Sequence, residues 1–69
     1  MSIYLYTIFE TVAEQSSFVK AAGDLHLTPS AISHAIAKLE SDVGFPLFIR
    51  SKKGVKLTAE GETLLPHIR

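Results

Sequence analysis

Ser30, Ser33 and His34 place two hydroxyls and an imidazole in one short run of chain. Those are the types that make a nucleophile and a general base when they face each other. Here they cannot. Ser33 and His34 are neighbours in sequence, and neighbours on a helix diverge by about 100° rather than meeting. His26, His34 and His67 have no spacing that makes a metal trio, and the sequence has no Cys to complete one. No catalytic residue, metal ligand or cofactor is read from the chain, and an enzyme is not expected. His26, in a turn, reads as a packed or solvated histidine. What is left for Ser30, Ser33 and His34 is to hydrogen-bond to something outside the chain.

The elements that must hold them are two short helices. Phe18, Ala21, Ala22 and Leu25 recur at i, i+3, i+4 and i+7, one face of a first helix. Ile32, Ile36, Leu39 and Val43 recur at i, i+4, i+7 and i+11, one face of a second. Between them Thr28 can accept backbone N–H bonds as a cap, and Pro29 suits the first helical position. So short a turn, with small Ala21 and Ala22 where the helices approach, predicts a helix-turn-helix. Ser30, His34, Ala37 and Ser41 then project nearly opposite the apolar stripe, with Ser33 on its flank. The exposed side chains near the helix start are short: Ser30, Ala31, Ser33, His34, Ala35 and Ala37. A solvated face usually carries Lys and Glu, whereas a face that enters a groove and touches base edges needs small residues and a few hydrogen-bonding groups. Capping alone would account for Thr28 and Ser30 but not for the whole face.

On either side lie supports. Ile3 to Glu14 predicts a helix with Leu5, Ile8, Phe9 and Val12 on one face and Tyr4 and Tyr6 at its edges. Gln15-Ser16-Ser17 breaks that pattern, with Ser17 as cap of the next helix. Gly44 suits a helix C-terminus, and Pro46 pushes Phe45 into an extended conformation. Leu47-Phe48-Ile49-Arg50 and Val55-Lys56-Leu57 are β-prone runs around Ser51-Lys52-Lys53-Gly54, where Gly54 favours a tight turn. The result is a small hairpin with a basic tip. Thr58 then caps a last helix carrying Leu64, Leu65 and Ile68, which Gly61 and Pro66 both weaken. No stop signal follows at His67-Ile68-Arg69, so the chain is expected to be a fragment that ends inside an element.

The 69 residues suffice for one domain and not for two. At ~0.05–0.15 kcal/mol per residue its stability would be ~3–10 kcal/mol. Absence of Cys excludes a disulfide framework and is compatible with a reducing cytoplasm. No apolar run approaches the ~20 residues of a membrane helix, and the first ten residues lack the basic start of a signal peptide. The reading is a soluble, cytoplasmic domain with no membrane partner. The formal net charge is zero, yet the stretch from Val43 to Ala59 contains Arg50, Lys52, Lys53 and Lys56 and no acid. The basic footprint is local. A merely solvated charged hairpin is the bland alternative.

Taken together, Ser17-Phe18, Ala21-Ala22, Leu25-His26-Leu27-Thr28, Ala31-Ile32-Ser33, Ile36, Leu39-Glu40, Val43-Gly44, Pro46-Leu47-Phe48, Arg50, Leu57-Thr58-Ala59, Gly61 and Leu64-Leu65 form a specific pattern. It resembles the N-terminal DNA-binding domain of LysR-type transcriptional regulators over nearly the whole chain. The resemblance implies a mostly α fold: a winged helix-turn-helix of three helices and a hairpin over residues 1–57. Residues 58–69 would begin a linker helix that pairs two protomers. It implies double-stranded DNA as partner, the second helix of the pair in the major groove and the wing on the backbone or minor groove. The DNA-binding candidates are Thr28, Pro29, Ser30, Ala31, Ser33, His34, Lys38, Arg50, Lys52 and Lys53. The homodimer candidates are Leu64, Leu65 and Ile68. A small-molecule effector would bind only through a C-terminal domain absent from this sequence.

Departures from the family pattern fall on the base-reading positions. Pro29 and Ser30 stand where Gln and Pro are frequent, and His34-Ala35 where Arg-Gln is frequent. The docking mode therefore carries over and the preferred sequence does not, with Ser30 and His34 as the candidate replacements. His34 is expected to be exposed. Its protonated form offers two donors and a positive charge, so binding to a polyanion is expected to tighten as pH falls. The alternative reading is a winged-helix module for protein–protein contact, which would want an apolar exposed face instead. RNA ranks third, because no exposed aromatic platform for stacking bases is evident.

Overall fold

In the computed structural model, which describes residues 3–68, four helices and a hairpin follow in chain order. They are α1 (Ile3–Gln15), α2 (Phe18–Leu25), α3 (Pro29–Val43), β1 (Phe48–Ser51), β2 (Gly54–Leu57) and α4 (Ala59–Ile68). Met1, Ser2 and Arg69, and with Arg69 the expected run-on of the last helix, lie outside the described residues. The fold is the expected winged helix.

The helix boundaries are made by the residues the periodicity singles out. The Ser17 hydroxyl oxygen accepts from Lys20 N–H at 3.1 Å, and that of Thr28 from Ala31 N–H at 3.0 Å. Each ties down an amide that has no partner inside its helix. Gly44 closes α3 in the left-handed conformation. At the end of α2 the same role falls to His26, an exposed residue at φ 57° and ψ 42°. A non-glycine there is uncommon, and the helix-turn-helix corner rests on it.

Three helices close on one core. Leu5, Ile8, Phe9 and Val12 of α1 meet Ala21 and Ala22 of α2 and Ile32, Ile36 and Leu39 of α3, all buried. Two further residues join them against expectation. Ala35, expected on the exposed face of α3, is only 8% exposed and belongs to the core. It stands three residues after Ile32, hence about 60° from it, on the near flank of the stripe. Leu47, expected in the first strand, precedes β1 and is fully buried. Its N–H leaves the sheet pattern and donates to Glu40 Oε2 at 2.7 Å, an oxygen that Phe48 N–H also reaches at 3.4 Å. Glu40 thus fastens the chain after α3 to α3 itself.

Strands β1 and β2 pair antiparallel from Phe48↔Leu57 to Ser51↔Gly54, leaving Lys52 and Lys53 as the loop. Gly54, expected within the turn, is instead the first residue of β2. Its φ of +125° suits glycine, and a Cβ there would stand 3.0 Å from the Ser16 carbonyl oxygen. Gly61 has a stronger reason to be glycine than its effect on helix propensity suggests. It is buried in α4, and a Cβ would come within 2.5 Å of the Leu47 carbonyl oxygen. Pro66 lies inside α4, which nevertheless runs on to Ile68.

Candidate nucleic-acid interface

Because Ile32, Ala35, Ile36 and Leu39 face inward, the other side of α3 is free. Ser30, Ala31, His34, Ala37, Lys38 and Ser41 are exposed there, Thr28 and Pro29 are exposed at its start, and Ser33 is half-buried on its flank. The face is narrow in relief, since most of these side chains end at Cβ or one atom beyond. Lys38 is the long one. It lies 3.8 Å from Asp42 one turn on, with its side chain 64% exposed. A largely exposed pair of that kind is worth only ~0–1 kcal/mol, so Asp42 holds Lys38 weakly.

The wing meets this face at one place. Arg50 Nη2–H donates to Ser33 Oγ at 2.7 Å, and the Arg50 guanidinium carbon sits 4.2 Å from the centroid of the Phe18 ring. Phe18 packs edge-on against Phe48, centroids 6.1 Å apart, and Phe48 edge-on against buried Phe9 at 5.4 Å. A cation over a ring face and rings at these angles are each favourable by ~0.5–1.5 kcal/mol. The guanidinium is therefore carried by three aromatic rings rooted in the core. A second tie, Val55 N–H to the Ser16 carbonyl at 3.3 Å, holds β2 to the α1–α2 turn. These contacts tie the root of the wing to α2, α3 and the α1–α2 turn.

At the tip the situation is opposite. Lys52 and Lys53 there, and Lys56 along β2, are exposed and make no ion pair with a described residue. Arg50, grouped with Lys52 and Lys53 from sequence, is thus placed differently from them. The sequence reading missed Phe18 as the seat of Arg50, since its spacing marks it only as a core-face residue, and missed Glu40 as a backbone acceptor. An acid closing α3 just before a Pro-extended run was the available signal for Glu40. No local signal joins Phe18, Ser33 and Arg50.

Leu64, Leu65 and Ile68 lie away from this face. All three are half-buried and pack against the core of their own chain. Outside them α4 borders an open apolar groove of ≈ 420 Å³, lined by Phe45, Ala59, Glu60, Thr63, Leu64 and His67. Among the described residues no group of three or more His, Asp or Glu could hold a metal ion, and no helix is long and apolar enough to cross a membrane.

Comparison with known proteins agrees with this geometry. The HTH-type transcriptional regulator PerR of Escherichia coli (strain K12) is 49% identical over 65 residues, 94% of this chain and 22% of PerR. The HTH-type transcriptional regulator CfxR of Cupriavidus necator is 52% identical over 60 residues, 87% of this chain and 19% of CfxR. The chain thus spans about a fifth of the length of the curated relatives it matches. Among solved structures, a complex of the CbnR DNA-binding domain with DNA superposes on 100% of this chain and 79% of its own, at 35% identity and a TM-score of 0.95. The family described as "Bacterial regulatory helix-turn-helix protein, lysR family" matches residues 3–62. With helix pair, wing and last helix all in place, this chain belongs to the lysR family of bacterial regulatory helix-turn-helix proteins.

Proposed function

We propose that the chain is the sequence-specific, double-stranded DNA-binding domain of a transcriptional regulator. Helix α3 enters the major groove, and the wing lies on the backbone or in the minor groove. The observation that carries this reading is the α3 face itself: short side chains, hydrogen-bonding Ser30 and His34, and a cationic wing tied alongside. Thr28, Pro29, Ala31 and Lys38 complete the approach of α3. Lys52 and Lys53, at the free tip, supply attraction to phosphates without reading sequence. Two protomers pair through α4, with the outward halves of Leu64, Leu65 and Ile68 at the seam. Effector sensing is assigned to a C-terminal domain outside this chain, and the site of action to the cytoplasm. No residue is given a catalytic role. A protein-docking module on the same scaffold would present an apolar face where α3 presents Ser30 and His34.

The test is affinity for duplex DNA across a salt series, with a single-stranded control and with Lys53→Ala and His34→Ala variants. Lys53→Ala should weaken selected and scrambled duplexes alike and flatten the log K against log salt slope by about 0.9. His34→Ala should weaken the selected duplex only, by ~1–3 kcal/mol, if its imidazole meets a base. Equal loss on both duplexes puts His34 on phosphate, and no loss on either removes it from the interface. Equal affinity for duplex and single strand would overturn the reading altogether. Sedimentation at rising concentration checks the pairing, which a species monomeric throughout would exclude.

A further inference from the structure

We infer that Arg50 is a positioning residue for base reading, acting through Ser33, rather than a third phosphate arm beside Lys52 and Lys53. The inference rests on the DNA-binding function proposed above. A serine hydroxyl has one donor and two acceptor sites and rotates to suit its surroundings. On a helix it commonly turns back to the carbonyl four residues earlier, as the hydroxyls of Thr7, Thr11 and Thr63 do here. Ser33 does not. Its hydroxyl oxygen is occupied by Arg50 Nη2–H at 2.7 Å, a short bond in which the donor is charged.

Two consequences follow from the charge. The positive guanidinium repels the hydroxyl hydrogen of Ser33, which turns away from Arg50. The oxygen is also a poorer acceptor for a second donor. Ser33 is left as a directed donor on the flank of α3. In the major groove the acceptors it can meet are purine N7, guanine O6 and thymine O4, whereas the amino groups of adenine and cytosine offer it nothing. Arg50 can hold this arrangement because its guanidinium does not swing freely. It rests on Phe18, and Phe18 on Phe48, and Phe48 on buried Phe9. Lysine could keep the charge but not the planar seat on the ring or the fixed direction of the donor.

The experiment selects a duplex from a random library with the unaltered chain, then scans it by single base-pair changes. Ser33→Ala, Arg50→Lys and the double variant are compared on the same scan and on a scrambled duplex. Ser33→Ala should weaken the selected duplex roughly tenfold and erase preference at one base pair. Arg50→Lys should erase preference at that same base pair. The double variant should be no weaker than the worse single one, and scrambled-duplex affinity should stay within about threefold throughout. Loss in Arg50→Lys that is equal on selected and scrambled duplexes, or losses that multiply in the double variant, would overturn the assignment. Were Arg50→Lys to melt early, Ser33→Ala decides, and an unchanged base scan in it overturns the assignment too. Failure to select any duplex sinks the DNA-binding reading and this one with it, a result distinct from all the others.

Discussion

Helices α3 and α4 both begin at a threonine whose hydroxyl oxygen accepts from the amide three residues on, Thr28 from Ala31 and Thr58 from Gly61, each at 3.0 Å. Beyond that first turn they differ. In α3 most of the apolar stripe is consumed by the chain's own core: Ile32, Ile36 and Leu39 are at most 3% exposed, and only Val43 at its end is half-buried. Its outer face, mostly small and polar groups, is left exposed. In α4 the stripe is only half used. Leu64, Leu65 and Ile68 touch the core yet keep part of their surface toward solvent, beside an open apolar groove. One amphipathic helix can therefore be largely complete within its chain while another is not. The difference lies in what stands opposite each stripe.

The largest consequence of that contrast should appear on removing one leucine from each helix. Leu39→Ala should destabilise the domain by ~2–5 kcal/mol, which approaches the whole stability of a chain this size. Leu64→Ala, removing a side chain that is only half-buried, should cost about 1–2 kcal/mol. Thermal or denaturant melts of the two variants make the comparison. Equal losses would mean that α4 is as fully packed as α3, and the contrast would fail.

Next in size is Gly61→Ala. Alanine is the better helix former by about 1 kcal/mol, and at exposed Gly23 in α2, where a Cβ meets nothing within 4 Å, the change should stabilise by that order. At Gly61 the same change drives a methyl against the Leu47 backbone, so the sign should reverse to a loss of ~1–3 kcal/mol. Melting midpoints moving the same way in both variants would show that α4 can slide away from Leu47 at no cost.

The smallest effect separates the two caps. Thr28→Ala removes one accepted bond and should cost ~0.5–2 kcal/mol. Thr58→Ala removes an accepted bond and a donated one, since its hydroxyl also reaches the Pro46 carbonyl at 2.7 Å. It should therefore cost more than Thr28→Ala, by about 1 kcal/mol. Urea midpoints measured side by side would reveal the order. A larger loss at Thr28 would mean that the helix-turn-helix corner, with His26 in its left-handed conformation, leans on that cap more than α4 leans on its own.

Much of this is legible in the sequence alone. The stripes on α1, α2 and α3, the caps Ser17, Thr28 and Thr58, the Gly44 stop and the two-stranded wing are all signals carried within a few residues of chain. Ala35 escaped for a geometric reason. A small residue on the flank of a stripe has no hydrophobicity of its own to announce burial, and only the closeness of the neighbouring helices decides it. The candidate interface divided the same way. Ser30 and His34 were legible as an outward pair, because helical period alone turns them from Ile32 and Ile36. The seat of Arg50 was not.

Amino-acid order by itself determined where α2, α3 and α4 start and where α3 stops, which side of each stripe turns inward, and that a basic loop follows α3. These depend on backbone preferences and side-chain period, which act between residues a turn or two apart. Tertiary structure alone decided that Glu40 binds the amides of Leu47 and Phe48, that Gly61 must make room for the Leu47 carbonyl, and that Arg50 rests on Phe18 with its donor on Ser33. Each of those joins groups from separate elements at distances of a few ångströms. Only the packing of the whole core sets such distances, because a shift of one helix by a single ångström makes or breaks them.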